Sequence, residues 1–501
     1  MGPIIDKLGV EQGGVNSDKL YKLANNDQLR IAQLSQLGIS LGSQIVSSIG
    51  QADDSALIAN NVFDLQNLLL LTLEYCQRNN VTLVHEKTKL LAFCPVGHEQ
   101  SVDYSKIRSP INILGNFIPF SDSAEHVGVL RSVHGNGPAI LSRISAHRKA
   151  VFSLLPAGLA RGHRANPEAA VRVERLYGIP VLLSGLATLV LNTTEVGVLT
   201  SHFKKHIQRL LKLHKATSEP VVWFLAGCLP LQALLHLRIL SLFGMITRLH
   251  GGKSVLADHG RHIFSTAKSS SRSWFLEVQK ICLQYLLPHP IFFLDNPPSK
   301  YSFKRQIKSA VIDHWEQKLR GQTLFLREAS LKYFNPCYMS LSRTHPIFTT
   351  CGSNPYENKR AAIQAQFLSG KARVESLTKY WDKSNKDGIC QLCKLVEPVP
   401  GTIEHILLAG GCPALAETRQ VMLAHIQAYL VPRPYLFPVF EFLWGKEDKT
   451  TMQFILDCSV IPTVIKLSQE SENPILHDLF YLTRCYVYKL FVTRRRLLGL
   501  M

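Results

Sequence analysis

The chain has 501 residues, 46% apolar and 9% aromatic, which allows a sizeable core and excludes wholesale disorder. Its 56 Lys and Arg against 37 Asp and Glu leave a net charge of +19. That surplus draws polyanions, either nucleic acid or an anionic membrane surface, and says nothing of fold. The 11 cysteines are too few and too irregularly spaced for a disulfide scaffold, so a reducing, intracellular setting (nucleus or cytoplasm) is expected. No signal-peptide pattern opens the chain. Two apolar runs bear on membranes. Ile179–Leu191 is about 13 residues, short of the ~20 a spanning helix needs, and Val221–Leu235 is broken by Pro230 and runs into His236 and Arg238. Both are expected as buried helices, with no membrane partner.

The first 95 residues read as mixed α/β. Ser43–Gly50 and Ser55–Ala59 have strand character, and Gln51-Ala52-Asp53-Asp54 sits between them where a hairpin turns. Asn60 and Asn61 offer an N-cap to a helix over Val62–Arg78, where Leu65, Leu68, Leu69, Thr72 and Cys76 recur at helical spacing. Asn79-Asn80 ends it, and short strands are predicted over Val81–Val84 and Leu90–Phe93. From about residue 140 the chain turns helical, with helices predicted over Ile140–Leu155, Pro167–Tyr177, Val198–His214 and Leu231–Leu249. Ser254–Lys300 is less regular, and its Pro288-His-Pro290 and Pro297-Pro298 mark a boundary. Lys304–Tyr333 is helical again and Phe334-Asn335-Pro336 begins a turn. A compact cysteine module follows at 380–425, and the last 75 residues are apolar helix with a basic end.

Three features carry chemistry. An Asp pair at a hairpin tip concentrates two negative charges, a repulsion that Mg²⁺ relieves while keeping positions for substrate phosphates. Taken alone, an Asp-Asp dipeptide is an ordinary solvated turn. Cys390-Gln-Leu-Cys393, eleven residues, His405, six residues and Cys412 together present a Cys₃His set with no position left for water, the pattern of a structural zinc. A redox pair or unrelated buried cysteines are the alternatives. Lys205, Arg209 and Lys212 recur at i, i+4, i+7, opposite Ile207, Leu210 and Leu211. That stripe either tracks a phosphate backbone or is a solvated helix face. Ser142-Arg143 with His147-Arg148-Lys149, Arg161-Gly-His163-Arg164, and the terminal Arg494-Arg495-Arg496 add positive charge. For the terminal cluster, phosphate contact and a solvated chain end are equally good readings.

Four segments then resemble, in order, motifs of reverse transcriptases. Gly9-Val-Glu-Gln12-Gly13-Gly14 with Ser17 resembles the palm Gln-Gly-Gly motif, and Gln51-Ala52-Asp53-Asp54 the aromatic-Ala-Asp-Asp motif. Val81-Thr-Leu-Val-His85-Glu86-Lys87-Thr88 resembles the Lys-Thr motif, and Glu125-His126-Val127-Gly128-Val129 the hairpin beside the primer end. Arg172-Val-Glu-Arg175-Leu-Tyr177-Gly-Ile-Pro180 and the helix at 203–215 are similar to the thumb of non-LTR (LINE-type) retrotransposon enzymes, and the Cys₃His module to their C-terminal zinc module.

The resemblance implies an α+β fold: a partial palm with primer-side hairpin (1–130), a helical thumb (131–260), a helical connection (261–379), a zinc module (380–425) and C-terminal helices (426–501). It implies RNA-directed DNA synthesis, with an RNA template, a DNA target or primer, and deoxynucleotides as partners. Asp53 and Asp54 would hold Mg²⁺, Lys87 would meet the leaving pyrophosphate, and Gln12, Gly13 and Gly14 would let the backbone approach a base pair or phosphate. Zn²⁺ would be structural. Gln51 stands where the family has Tyr or Phe, and His85 where Asn is common. In the family a strand with the third metal-binding carboxylate precedes the Gln-Gly-Gly motif, so this chain is expected to be catalytically incomplete. A non-catalytic nucleic-acid-binding remnant, keeping thumb and zinc module, is the second expectation.

Overall fold

A computed structural model describes residues 17–51, 54–93, 111–126, 128–154, 166–268, 271–327, 331–378, 387–393, 398–437, 439–440, 448–472 and 474–500. Helix α1 (Ser17–Leu34) leads into two antiparallel hairpins, β1 (Ile39–Leu41) with β2 (Gln44–Val46) and β3 (Ser48–Gln51) with β4 (Asp54–Leu57). The strand expected over Ser43–Gly50 is therefore two strands. The second hairpin pairs Ser48 with Leu57 and closes on Gln51↔Asp54, so Gln51 and Asp54 of the expected four-residue turn are strand residues.

Helix α2 runs Val62–Arg78, the expected span. Asn61 Oδ1 accepts the Asp64 N–H at 2.8 Å, and Asn79 Nδ2 donates to the Tyr75 carbonyl at 2.9 Å. Its buried stripe supplies Leu69 and Leu73 to a small core with Ile111, Ile113 and Ile118. The strands expected at Val81–Val84 and Leu90–Phe93 do not form. Val81 and Val84 are exposed with no partner strand among the described residues, and Leu90 makes an isolated bridge to Phe120. Propensity without a partner makes no sheet. Hairpins β5 (Asn112–Ile113) with β6 (Asn116–Phe117) and β7 (Ser123–His126) with β8 (Val129–Ser132) follow. Every sheet among the described residues is two-stranded.

Thereafter the described chain is helical: α3 (Gly137–Ser153), α4 (Pro167–Val173), α5 (Ile179–Leu182), α6 (Thr193–Leu210), α7 (Glu219–Ala226), α8 (Leu231–Ile246), α9 (Val255–Thr266), α10 (Trp274–Gln284), α11 (Pro290–Asp295) and α12 (Lys300–Arg327). One turn of π-helix, Glu174–Gly178, joins α4 to α5. The stretch read as irregular, 254–300, holds three regular helices. Ser254 and Ser273 cap α9 and α10, accepting the N–H groups of Ala257 at 3.2 Å and Phe275 at 3.3 Å. Helix α6 stops at Leu210, four residues before the expected end. Lys212 takes a left-handed φ of 54°, its N–H donates to Arg209 O (3.2 Å) and Leu213 N–H donates to Gln208 O (2.8 Å), a Schellman closure.

The chain divides into two compact units, one drawn from Met1–Arg143, Leu183–Glu195 and Leu235–Lys308, the other from Ile144–Leu182, Val196–Leu234 and Ser309–Met501. In the second, Phe203 and Trp223 stack at 5.6 Å and are fully buried. The long last helix, Ile475–Leu497, buries Leu479, Leu482, Val487 and Leu490, and Phe491 meets Phe367 of helix Pro355–Leu368 edge-on. No single helix among the described residues is long and apolar enough to cross a membrane, though α7 and α8 pass that test as a bent pair. Val221–Ala226 of α7 are wholly buried in the protein.

Candidate metal centre

Cys390, Cys393, His405 and Cys412 converge in the second unit, their ligand atoms all within 4.8 Å of one another and their side chains buried. Local backbone geometry brings them together. Ile389 bridges Pro400, Cys390 N–H donates to Val399 O at 2.9 Å, and the chain turns back so that Cys393 N–H reaches Cys390 O at 3.1 Å. That ribbon aims both thiols at one point. His405 stands on the short helix Ile403–Leu407, capped by Thr402 Oγ1 on the His405 N–H at 3.1 Å. Cys412 N–H donates to the His405 carbonyl at 2.6 Å. A Cβ on Gly411 would overlap that carbonyl, so the return from His405 to Cys412 requires glycine there.

Cys393 Sγ lies 3.4 Å from both Cys412 Sγ and His405 Nε2, and Cys390 Sγ lies 4.0 Å from Cys412 Sγ. Zinc–sulfur bonds of ~2.3 Å in a tetrahedron hold sulfurs ~3.8 Å apart, which these separations bracket. Hydrogen bonding to Cys412 and burial raise the Cys390 thiol, while the same bond lowers Cys412. Several thiolates coexist in so small a volume only around a cation. The group is suited to a structural metal ion such as zinc, and the residues fit it without leaving an open position.

A buried ion pair backs the ribbon. Glu375 Oε1 accepts the Gln391 N–H at 3.3 Å and the Arg494 guanidinium, and Arg494 Nη1 also donates to Arg373 O at 3.2 Å. Arg494 is therefore 4% exposed and structural, which removes it from the basic end cluster in which sequence had grouped it. Arg419 donates to the Cys412 carbonyl from the other side.

The remaining sequence-predicted residues scatter. Gln12, Gly13, Gly14 and Asp53 lie outside the described residues. Asp54 is exposed as the first residue of β4, and Lys87 is exposed in the turn at 85–87. The β7–β8 hairpin closes on His126↔Val129, with Gly128 at a φ of 70°. Lys205 and Arg209 are exposed on α6, but Lys212 has left the helix and is half-buried. Burial pulls its ammonium down to about 8, so the three cations form no continuous stripe. Arg172 and Arg175 line, with Arg343, Ser340 and Ser342, a cleft of about 990 Å³ in the second unit.

One cluster went unread in the sequence. His147, grouped there with surface cations, is 1% exposed, and Glu174 is 4% exposed. Glu174 Oε1 lies 2.8 Å from His147 Nε2, and Oε2 lies 2.8 Å from His206 Nε2. His202 Nε2 lies 3.0 Å from His147 Nδ1. Burial works to raise Glu174, but the hydrogen bonds from His147 and His206 prevail and hold it at about 2. The one signal available was His202-Phe-Lys-Lys-His206, two histidines one helical turn apart.

No protein-family model matches the chain, and no curated protein matches it.

Proposed function

We propose that this chain handles nucleic acid as a reverse-transcriptase-type protein of a non-LTR retrotransposon, holding an RNA template and a DNA primer. The observation that carries the reading is the β3–β4 hairpin. Its closing pair Gln51↔Asp54 puts Asp54 at the start of β4 beside the turn, and α2 follows. An Asp pair at such a tip suits Mg²⁺, which would bring its own water and triphosphate ligands. The β7–β8 hairpin at the segment similar to the primer-side motif supports the same reading. So do exposed Lys205 and Arg209 and the arginine-lined cleft, as phosphate contacts. Zinc in the Cys₃His group would be structural, as a closed four-ligand site requires.

A second reading, binding without catalysis, is favoured by one observation. The β3–β4 hairpin pairs with no third strand among the described residues, whereas in the enzymes it resembles a strand of the palm carries the third metal-binding carboxylate. Primer extension separates the two. The chain is given an RNA template annealed to a DNA primer, Mg²⁺ and deoxynucleotides, alongside Asp53→Asn. Extension lost in the variant supports the enzyme, and salt-sensitive binding without extension supports the second reading. A chain that neither extends nor binds contradicts both.

A further inference from the structure

We propose that His147, Glu174 and His206 form a second metal site, independent of the Cys₃His group, that takes a divalent first-row transition metal ion such as zinc on imidazole and carboxylate donors. The inference is separate from the reading of the chain as a nucleic-acid protein and stands if that reading fails.

Four observations converge. The ligand atoms of the three side chains lie within 4.8 Å of one another, in a group buried inside the second unit. Both imidazoles present Nε2 to the carboxylate at 2.8 Å, with their rings perpendicular (89°) and their centroids 5.0 Å apart. A tetrahedral ion with bonds of ~2.0–2.1 Å separates such atoms by ~3.3 Å, so each imidazole–carboxylate contact opens by about half an ångström to admit it. Second, the ion-pair partners of this buried carboxylate among the described residues are the two histidines, which carry charge only when protonated, and no lysine or arginine joins them. The neighbouring Arg175 gives its guanidinium to the carbonyls of Ala226 and Gly227 instead. With the imidazoles neutral the buried carboxylate lacks a counter-charge, and a divalent ion between carboxylate and imidazoles supplies it.

Third, Glu174 opens the single π turn, Glu174–Gly178, between α4 and α5. Such turns are rare overall and frequent at functional sites. A Cβ on Gly178 would overlap the Glu174 carboxylate, so the absent side chain makes the space the carboxylate occupies. Fourth, His202, one turn before His206 on α6, stands 3.0 Å from His147 Nδ1. A metal-bound imidazole commonly donates its other N–H to a partner that fixes the ring, and His202 is placed to accept it. His202 is a positioning residue here. Three protein ligands leave a fourth position for water, and the ion would tie α3, the π turn and α6 together.

The test is the zinc content of the full chain after loading with Zn²⁺ and dialysis into metal-free buffer. The expected value is about two per chain, one for each site. His147→Ala with His206→Ala should lower it by one. Cys390→Ser with Cys393→Ser should leave one, and its X-ray absorption should show nitrogen and oxygen neighbours without sulfur. Glu174→Gln keeps the shape, loses the charge and should weaken the second zinc at least tenfold. His202→Ala should weaken it roughly 10–100-fold while leaving the sulfur-bound ion in place. One zinc per wild-type chain, bound entirely through a sulfur-containing shell, would overturn the proposal. So would a count unmoved by the double histidine variant. The wild-type measurement decides even where a variant fails to fold.

Discussion

The Asp-Asp hairpin and the Cys₃His group are both read as metal sites, and they are built in opposite ways. Asp54 is exposed near the tip of a hairpin that pairs with no further strand among the described residues, whereas the four ligands at 390–412 are enclosed, capped and backed by the buried Glu375–Arg494 pair. The difference follows from the ions. A structural zinc holds a small module permanently and needs every ligand from the protein. Mg²⁺ dehydrates reluctantly and shares itself with substrate phosphates, so its carboxylates must face open space. The closed site should therefore carry fold stability, and the open one should carry almost none.

The strongest way to break that contrast is to remove the closed site. Chelation, or Cys390→Ser with Cys393→Ser, should release one zinc and expose the 387–412 segment to protease, because structural zinc contributes on the order of 10 kcal/mol in modules this small. Protection unchanged after zinc loss would make the site decorative. Next in size is the pair behind it. Arg494→Leu strands the Glu375 carboxylate and should cost about 3–5 kcal/mol in denaturant unfolding, with Glu375→Leu in the same chain restoring much of the loss. A smaller effect is expected at the α2 cap, where Asn61→Ala removes the bond to the Asp64 N–H for about 1 kcal/mol. Smallest is Asp54→Asn, which should leave the Tm unchanged while weakening Mg²⁺-dependent binding of a deoxynucleotide. A large Tm drop there would mean that the hairpin tip is structural after all.

Legibility in the sequence followed the range of the interactions involved. Helix α2 was readable to the residue because Asn61, Asn79 and the spacing of Leu65, Leu68, Leu69 and Thr72 are local signals. The Cys₃His group was readable because its ligands fall within one short stretch of chain. The strands expected at Val81–Val84 and Leu90–Phe93 failed because pairing depends on a partner that the segment itself does not name. Arg494 was misplaced because a run of three arginines suggests solvent. Its spacing from Val487 and Leu490 puts it on the buried face of the last helix, a periodicity that composition conceals. Lys212 left its stripe because the helix closes two residues earlier in a Schellman turn with no glycine to announce it. The His147, Glu174 and His206 cluster was the least legible, since its members come from three separate elements and only the fold joins them.

The most direct test of the nucleic-acid reading is binding of an RNA template annealed to a DNA primer, followed as salt is raised. With phosphate contacts as the basis, log Kobs should fall linearly with log salt, and Lys205→Glu with Arg209→Glu should flatten the slope by about 2. A flat salt response in the unaltered chain, or no binding at low salt, would contradict it.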